Sequence, residues 1–192
     1  KDRVMIKISE SKIEEYTIQL LEGLGYNYLY GPVVAPDSSS PERSSFSEVM
    51  LPERVKSAIK RLNPHLPSSA YDHAFKELQR INSPDLIANN ETFHRMLTEG
   101  IKVTYVKNGH ERGDLLWLID FNHPDNNEFF VVNQFTIIEN QVNKRPDVIL
   151  FINGLPLVVM ELKNAVDENA TVTSAYKQLQ TYKETIPSLF TY

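Results

Sequence analysis

Apolar and polar positions follow two different rhythms on either side of Gly100. Before it, Ile13, Tyr16, Ile18, Leu20, Leu21 and Leu24 approach a 3.6-residue period, which predicts a helix over residues 12–24 closed by Gly25. Further helices are predicted at about 52–62, 69–81 and 84–99, with Pro52 and Pro84 in first turns and Gly100 as a stop. Residues 31–48, GPVVAPDSSSPERSSFSE, are rich in Pro and Ser and read as a long irregular connection.

After Gly100 the period falls to two and β-formers dominate. Strands are predicted at 101–107, 114–121, 128–138, 146–152 and 155–163, joined by KNGHERG, NHPDNN, ENQVNK and an Asn153-Gly154 turn. A last helix, about 172–186, stops before Pro187. The pattern gives an α/β (α+β) class: a mostly antiparallel central sheet flanked by helices, with a mostly helical part at 1–100 and a sheet-bearing core at 101–192. There is no internal repeat and no low-complexity tract beyond short serine clusters.

Composition narrows the function classes. The 192 residues suffice for one good-sized domain or two small ones, and 41% apolar content is too much for disorder. No apolar run approaches the roughly 18 residues that span a bilayer, and KDRVMIKISESK is no signal peptide, so no membrane partner is expected. A start at Lys1 rather than Met suggests a trimmed chain. Zero cysteine excludes a disulfide scaffold, a thiolate zinc site and a thiol nucleophile, and it fits a reducing compartment. The net charge of −5 argues against gripping nucleic acid by electrostatics alone. Basic and acidic residues number 12 and 14 before Gly100 and 8 and 11 after it, so neither part is a basic domain. A DNA-acting chain of this charge needs another domain or subunit for much of its hold.

The run LPLVVMEL alternates little, as a strand covered on both faces does, yet it closes in Glu161 and Lys163. Residues two apart on a strand share a face, so these two project together. Asp147 opens the preceding apolar strand, and register decides whether it joins them. A strict two-residue Asn153-Gly154 loop pairs 147 with 160 and puts Asp147 on the opposite face from Glu161. A three-residue loop, or an equivalent bulge, sets Asp147 across from Glu161, and that arrangement is expected. Two carboxylates and a lysine in an apolar setting suit a divalent-metal phosphodiesterase. Hard Mg²⁺ takes oxygen ligands and lowers the pKa of a bound water, and a lysine can stabilise charge developing on phosphate. The plainer alternative is a structural salt bridge from Lys163 to Glu161 or Asp147.

RPDVILFINGLPLVVMELKNA resembles the PD-(D/E)xK nuclease motif as it occurs in the R (restriction and translocation) subunit of type I restriction enzymes. The resemblance continues through GLGYNYLYGPVVAP, PERSS, RLNPHLP, NNETFHRMLTEGIKV, FNHPDNNEFFVVNQF and AYKQLQTYKETIPSLF, nearly the whole chain. It implies a restriction-endonuclease-like core on which the first helix packs, and cleavage of double-stranded DNA in a cytoplasmic complex with modification and specificity subunits. It also implies Mg²⁺, with Mn²⁺ as a substitute, held by Asp147, Glu161 and the backbone carbonyl of Leu162, with Lys163 as the catalytic lysine. A glutamate from the first helix is implied at the metal. Glu14 fits that place, with Glu15 as a competing alignment and a Ser11–Glu14 capping box as the ordinary alternative. Gln178 and Tyr182 match the family's QxxxY motif and share a helix face, although an ordinary helix with one buried tyrosine would look alike. ATP is implied only for the motor of the full-length subunit, because this chain has no GxxxxGK[ST] loop. The family's nuclease domain continues beyond PSLFTY into at least one more strand, so the core is expected to be truncated.

Other signals are weaker. Arg145, two residues before Asp147, suits a bidentate phosphate contact better than Lys144. Arg54, Lys56, Lys60 and Arg61 read as a solvated face, the five histidines lack ligand spacing, and Trp117 reads as core. Two rival readings remain: a non-catalytic docking or DNA-holding module with a nuclease-like fold, and a stand-alone nuclease.

Overall fold

The computed structural model describes residues 9–164 and 171–192; Lys1 lies outside them. Helix α1 (Glu10–Gly23) is capped by Ser9, whose side chain accepts from the Lys12 N–H. Its end is a Schellman motif: Gly25, at φ +98°, donates to Glu22, and Tyr26 donates to Leu21. The predicted glycine stop is therefore realised one position past the Leu24 cap. Because the helix starts at Glu10, Glu14 lies inside it, and the alternative capping box at Ser11 does not form.

Strand β1 (Asn27–Tyr30) precedes a 3₁₀ turn at Gly31–Val34 and the irregular connection. That connection is pinned by Arg43, 3% exposed, which donates to the carbonyls of Glu48 and Thr136 while its guanidinium lies 3.7 Å from the Phe135 ring centroid. Helices α2 (Pro52–Leu62), α3 (Ser68–Gln79) and α4 (Leu86–Glu99) follow as the apolar spacing predicts. Pro84 lies ahead of the α4 cap, Asp85, rather than in the first turn.

The strands depart further from the sequence pattern. β2 (Ile101–Lys107) pairs with β3 (His110–Leu116), so KNGHERG is not a loop: Asn108 and Gly109, at φ +54° and +78°, form a two-residue turn and the polar residues after them are strand. Trp117 consequently lies past the strand end and is 37% exposed, not core. The predicted 128–138 strand breaks at Gln134, whose φ is +54°, into β4 (Phe129–Asn133) and β5 (Ile137–Glu139). β5 pairs with β6 (Val142–Lys144) inside the segment read as the loop ENQVNK. Last come β7 (Val148–Ile152), β8 (Leu155–Met160) and helix α5 (Val172–Thr185).

The fold is α+β. Its central sheet has the order β1-β4-β7-β8, with β1 parallel to β4 and the other two pairings antiparallel. The sheet thus draws an edge strand from before Gly100 and three strands from after it. Alternation along β7 splits its side chains between two cores. Val148 and Leu150 pack with Ile18 of α1, while Ile149 and Phe151 pack with Tyr182 and Ile186 at α5. A separate apolar cluster joins α2, α3 and α4 to the β2–β3 hairpin. The tip of the β7–β8 turn is fixed from below: Asn153, 1% exposed, bonds Leu118, Asn127, Glu128 and Arg61, and Gly154 sits where a Cβ would meet Leu51 O at 2.8 Å.

Candidate active site at one end of the central sheet

β4 ends at Asn133, β7 begins at Val148 and β8 ends at Met160, and these three residues are neighbours across the sheet. The residues adjoining these strand ends therefore converge between α1 and α5. The register that brings Asp147 into this group is made by a bulge. Asn153 and Gly154 form the tight two-residue turn, so Ile152 faces Leu155 rather than closing the three-residue loop. Phe151 then faces Pro156, but Leu150 faces Val158, and Leu157 is skipped. Beyond the bulge Val148 faces Met160, which sets Asp147 across from Glu161. Of the two devices the sequence allowed, the chain uses the bulge.

Glu161, Lys163, Gln178 and Tyr182 form a closed ring of hydrogen bonds. Lys163 Nζ donates to Glu161 Oε1 at 2.9 Å and to Gln178 Oε1 at 3.0 Å. Gln178 Nε2 donates to the Tyr182 hydroxyl at 2.8 Å, and that hydroxyl donates to Glu161 Oε2 at 3.1 Å. The i, i+4 spacing on α5 lets Gln178 and Tyr182 reach the strand end together. Burial pushes the Tyr182 hydroxyl up to about 12, helped by the Glu161 charge and opposed by Gln178, so it stays a donor at neutral pH. Burial works against the Lys163 charge, but the bond and charge of Glu161, with Asp147 and Glu10, outweigh it and hold Lys163 above its ordinary value. The Glu161 side chain is 2% exposed. The salt bridge offered as the plain alternative is thus present, inside a larger network.

Asp147 stands outside the ring. Its Oδ2 accepts from the Leu162 N–H at 2.7 Å. Burial raises its pKa to about 6; the Leu162 bond and Lys163 oppose that shift, while the charges of Glu161 and Glu14 add to it. Glu14 is half-buried on α1, and its Oε1 accepts from Asn133 Nδ2 at 2.6 Å and Gln134 Nε2 at 3.2 Å. Glu15 is exposed. Arg145 is also exposed and forms no hydrogen bond or ion pair with another described residue, so no contact among them holds it beside Asp147. Sequence reasoning missed Tyr28, Asn133 and Gln134, which surround Glu14. The signal available was an Asn-Gln pair ending the apolar run FFVV, polar where the strand should stay apolar.

Among the described residues, no three acidic or histidine side chains converge on one point. The donor set at the strand ends is two carboxylates and main-chain oxygen, which fits a hard cation that keeps much of its water and suits neither zinc nor copper. The fit also shows in Asp147, a half-buried acid crowded by two like charges, which a cation would relieve.

A mixed sheet between two helices, with paired carboxylates and a lysine at its end, defines an α+β domain of nuclease-like architecture. The chain belongs to the family described as the type I restriction enzyme R protein N terminus, which matches residues 7–192. It is 40% identical over 186 residues to the type I restriction enzyme HindI endonuclease subunit of Haemophilus influenzae, covering 96% of this chain and 18% of that protein. It is 34% identical over 183 residues to the putative MjaIXP endonuclease subunit of Methanocaldococcus jannaschii, covering 94% of this chain and 17% of that one. The chain spans less than a fifth of the length of these relatives. Among the described residues no helix is long and apolar enough to cross a membrane.

Proposed function

We propose that this domain is the DNA-cutting part of a type I restriction endonuclease subunit, hydrolysing phosphodiester bonds of double-stranded DNA with Mg²⁺, for which Mn²⁺ can substitute. The observation that carries this reading is the register placing Asp147 across from Glu161, with Lys163 held on the same face. The printed names of the relatives, endonuclease subunits of type I enzymes, support it. Asp147, Glu161 and the carbonyl of Leu162 would hold the ion, with Glu14 contributing from α1. Bound there, Mg²⁺ supplies charge neutralisation at the phosphate and a lowered pKa for water.

The chain's own residues supply the rest. Lys163 remains an ammonium and is aimed by Gln178, so it can stabilise charge developing on the phosphate without reorganising. Tyr182 holds the second oxygen of Glu161 and fixes how that carboxylate faces Asp147. Arg145, exposed and unpaired among the described residues, is free to meet a backbone phosphate. ATP turnover, and docking to modification and specificity subunits in the cytoplasm, belong in this reading to the assembled enzyme. A domain delivered to DNA by such an assembly needs little electrostatic grip of its own, in keeping with the net charge of −5.

The test is Asp147→Ala and Lys163→Ala in the assembled, full-length enzyme. Cleavage should fall at least about 100-fold while ATP hydrolysis stays near wild type. Loss of ATPase together with cleavage in a well-folded Asp147→Ala protein would refute this division of labour, and undiminished cleavage would refute the catalytic assignment.

A further inference from the structure

Glu14 is gripped by two neutral amides rather than by a cation. Asn133 Nδ2 and Gln134 Nε2 both donate to Oε1, and among the described residues nothing bonds Oε2. A lysine or arginine here would hold the carboxylate equally well but cancel its charge. Amides fix its rotamer without bringing a positive charge, with one oxygen committed and the other available. A carboxylate serving only to stabilise the fold gains nothing from keeping its charge beside Asp147.

The amides are themselves set in place. Glu14 can only accept, so Asn133 must turn its Nδ2 toward it, and Oδ1 then accepts from the Tyr28 hydroxyl at 2.9 Å. Asn133 is 8% exposed and ends β4. Gln134 follows at φ +54°, a left-handed conformation that an L side chain adopts at a cost. That turn is possible because β1 is followed directly by Gly31, whose Cβ, if present, would lie 2.6 Å from Asn133 O and 2.8 Å from Gln134 O. Glu14 also borders a cleft of about 280 Å³ lined by Ser11, Glu15, Glu22, Tyr28 and Asn133 but not by Asp147 or Glu161, so its α1 side opens to solvent.

We infer that Asn133 and Gln134 are positioning residues: they orient the Glu14 carboxylate to hold water of a divalent cation carried by Asp147 and Glu161, and Tyr28 locks the Asn133 amide in the required sense. This deepens the metal-dependent reading of the site and rests on it. The left-handed turn at Gln134 is then the local cost of aiming a second amide at one carboxylate oxygen.

The experiment is Mn²⁺ titration of the nucleotide-free, full-length polypeptide, followed by electron paramagnetic resonance, with Asp147→Ala as the background. Asn133→Ala and Gln134→Gly should each weaken the Asp147-dependent site by about tenfold, as loss of an orienting partner does. Tyr28→Phe should weaken it severalfold less. Gln134→Gly is the decisive variant, because glycine suits the positive φ and removes only the amide: its melting temperature should not fall. In a Glu14→Gln background the Asn133→Ala change should have no further effect on Mn²⁺ affinity, because the amide acts through that carboxylate. An Asp147-dependent site indifferent to Gln134→Gly, or equally weakened with and without Glu14, would overturn this inference while leaving the metal reading standing. No Asp147-dependent Mn²⁺ site at all would overturn both.

Discussion

Asp147 Oδ2 accepts the main-chain N–H of Leu162 at 2.7 Å, so the acid that precedes one strand is tied to the backbone between Glu161 and Lys163 on the next. The bond fixes the relative position of three functional groups through one contact. It also accounts for how a crowded acid stays in place: the N–H stabilises a carboxylate whose burial and acidic neighbours raise its pKa to about 6.

That raised pKa has a consequence for stability without metal. A carboxyl with a folded pKa above its unfolded one favours the fold while protonated. Its contribution is fully present below about pH 4 and is lost as pH rises through about 6. Asp147→Asn mimics the neutral form and can still accept from Leu162. In chelator at pH 7.5 the variant should be more stable by about 1–2 kcal/mol, the full linkage value being reduced because the group is only half-buried. At pH 4 the two proteins should unfold at nearly the same urea concentration. Equal stability at both pH values would mean that Asp147 is not strained by its surroundings.

Tyr182→Phe removes a hydroxyl and nothing else, leaving Glu161 Oε2 without its donor in a side chain that is 2% exposed. Stability should fall by about 1–3 kcal/mol. Cleavage in the assembled enzyme should fall about tenfold, as expected for loss of a group that orients a ligand. Thermal melts and a cleavage assay check the two effects separately. A stability loss with unchanged cleavage would reduce Tyr182 to a core residue.

The skipped residue Leu157 makes an unusual pair of predictions. Deleting it removes the bulge but keeps every pairing beyond it, so Asp147 should still face Glu161 and Asp147-dependent Mn²⁺ binding should survive. Inserting one alanine after Val159 shifts the strand end by one residue and turns Glu161 and Lys163 to the α1 face, and binding should disappear. Mn²⁺ titration of both variants, with circular dichroism to establish folding, checks the pair. Loss of binding in the deletion and retention in the insertion would contradict the register argument.

Much of this site was legible because its parts break rules that the sequence otherwise obeys. Glu161 and Lys163 are charged where LPLVVM demands apolar residues, and Asn153-Gly154 announces the turn. The helices were legible for a similar reason: Pro52 and Gly25 mark ends of apolar stripes with a helical period, although the first helix starts at Glu10 under a Ser9 cap rather than at residue 12. β1 was hidden because NYLY follows a helix closely and gains its strand form only by lying parallel to β4, a partner about a hundred residues away. The sequence alone allowed either a longer loop or a bulge, and only packing chooses. Gly154 is pressed against α2, which leaves no space for a third loop residue, so the extra residue is taken up at Leu157. The amide pair at Glu14 was illegible because its meaning depends on α1 and β4 meeting in space.

Anomalous scattering from a crystal of this chain soaked in Mn²⁺ shows whether Asp147 and Glu161 share a cation. A peak is expected between the carboxylates of Asp147 and Glu161, within ligand distance of the Leu162 carbonyl and absent from Asp147→Ala crystals. No peak there at millimolar Mn²⁺, with Glu161 still bonded to Lys163 and Tyr182, would contradict a shared cation.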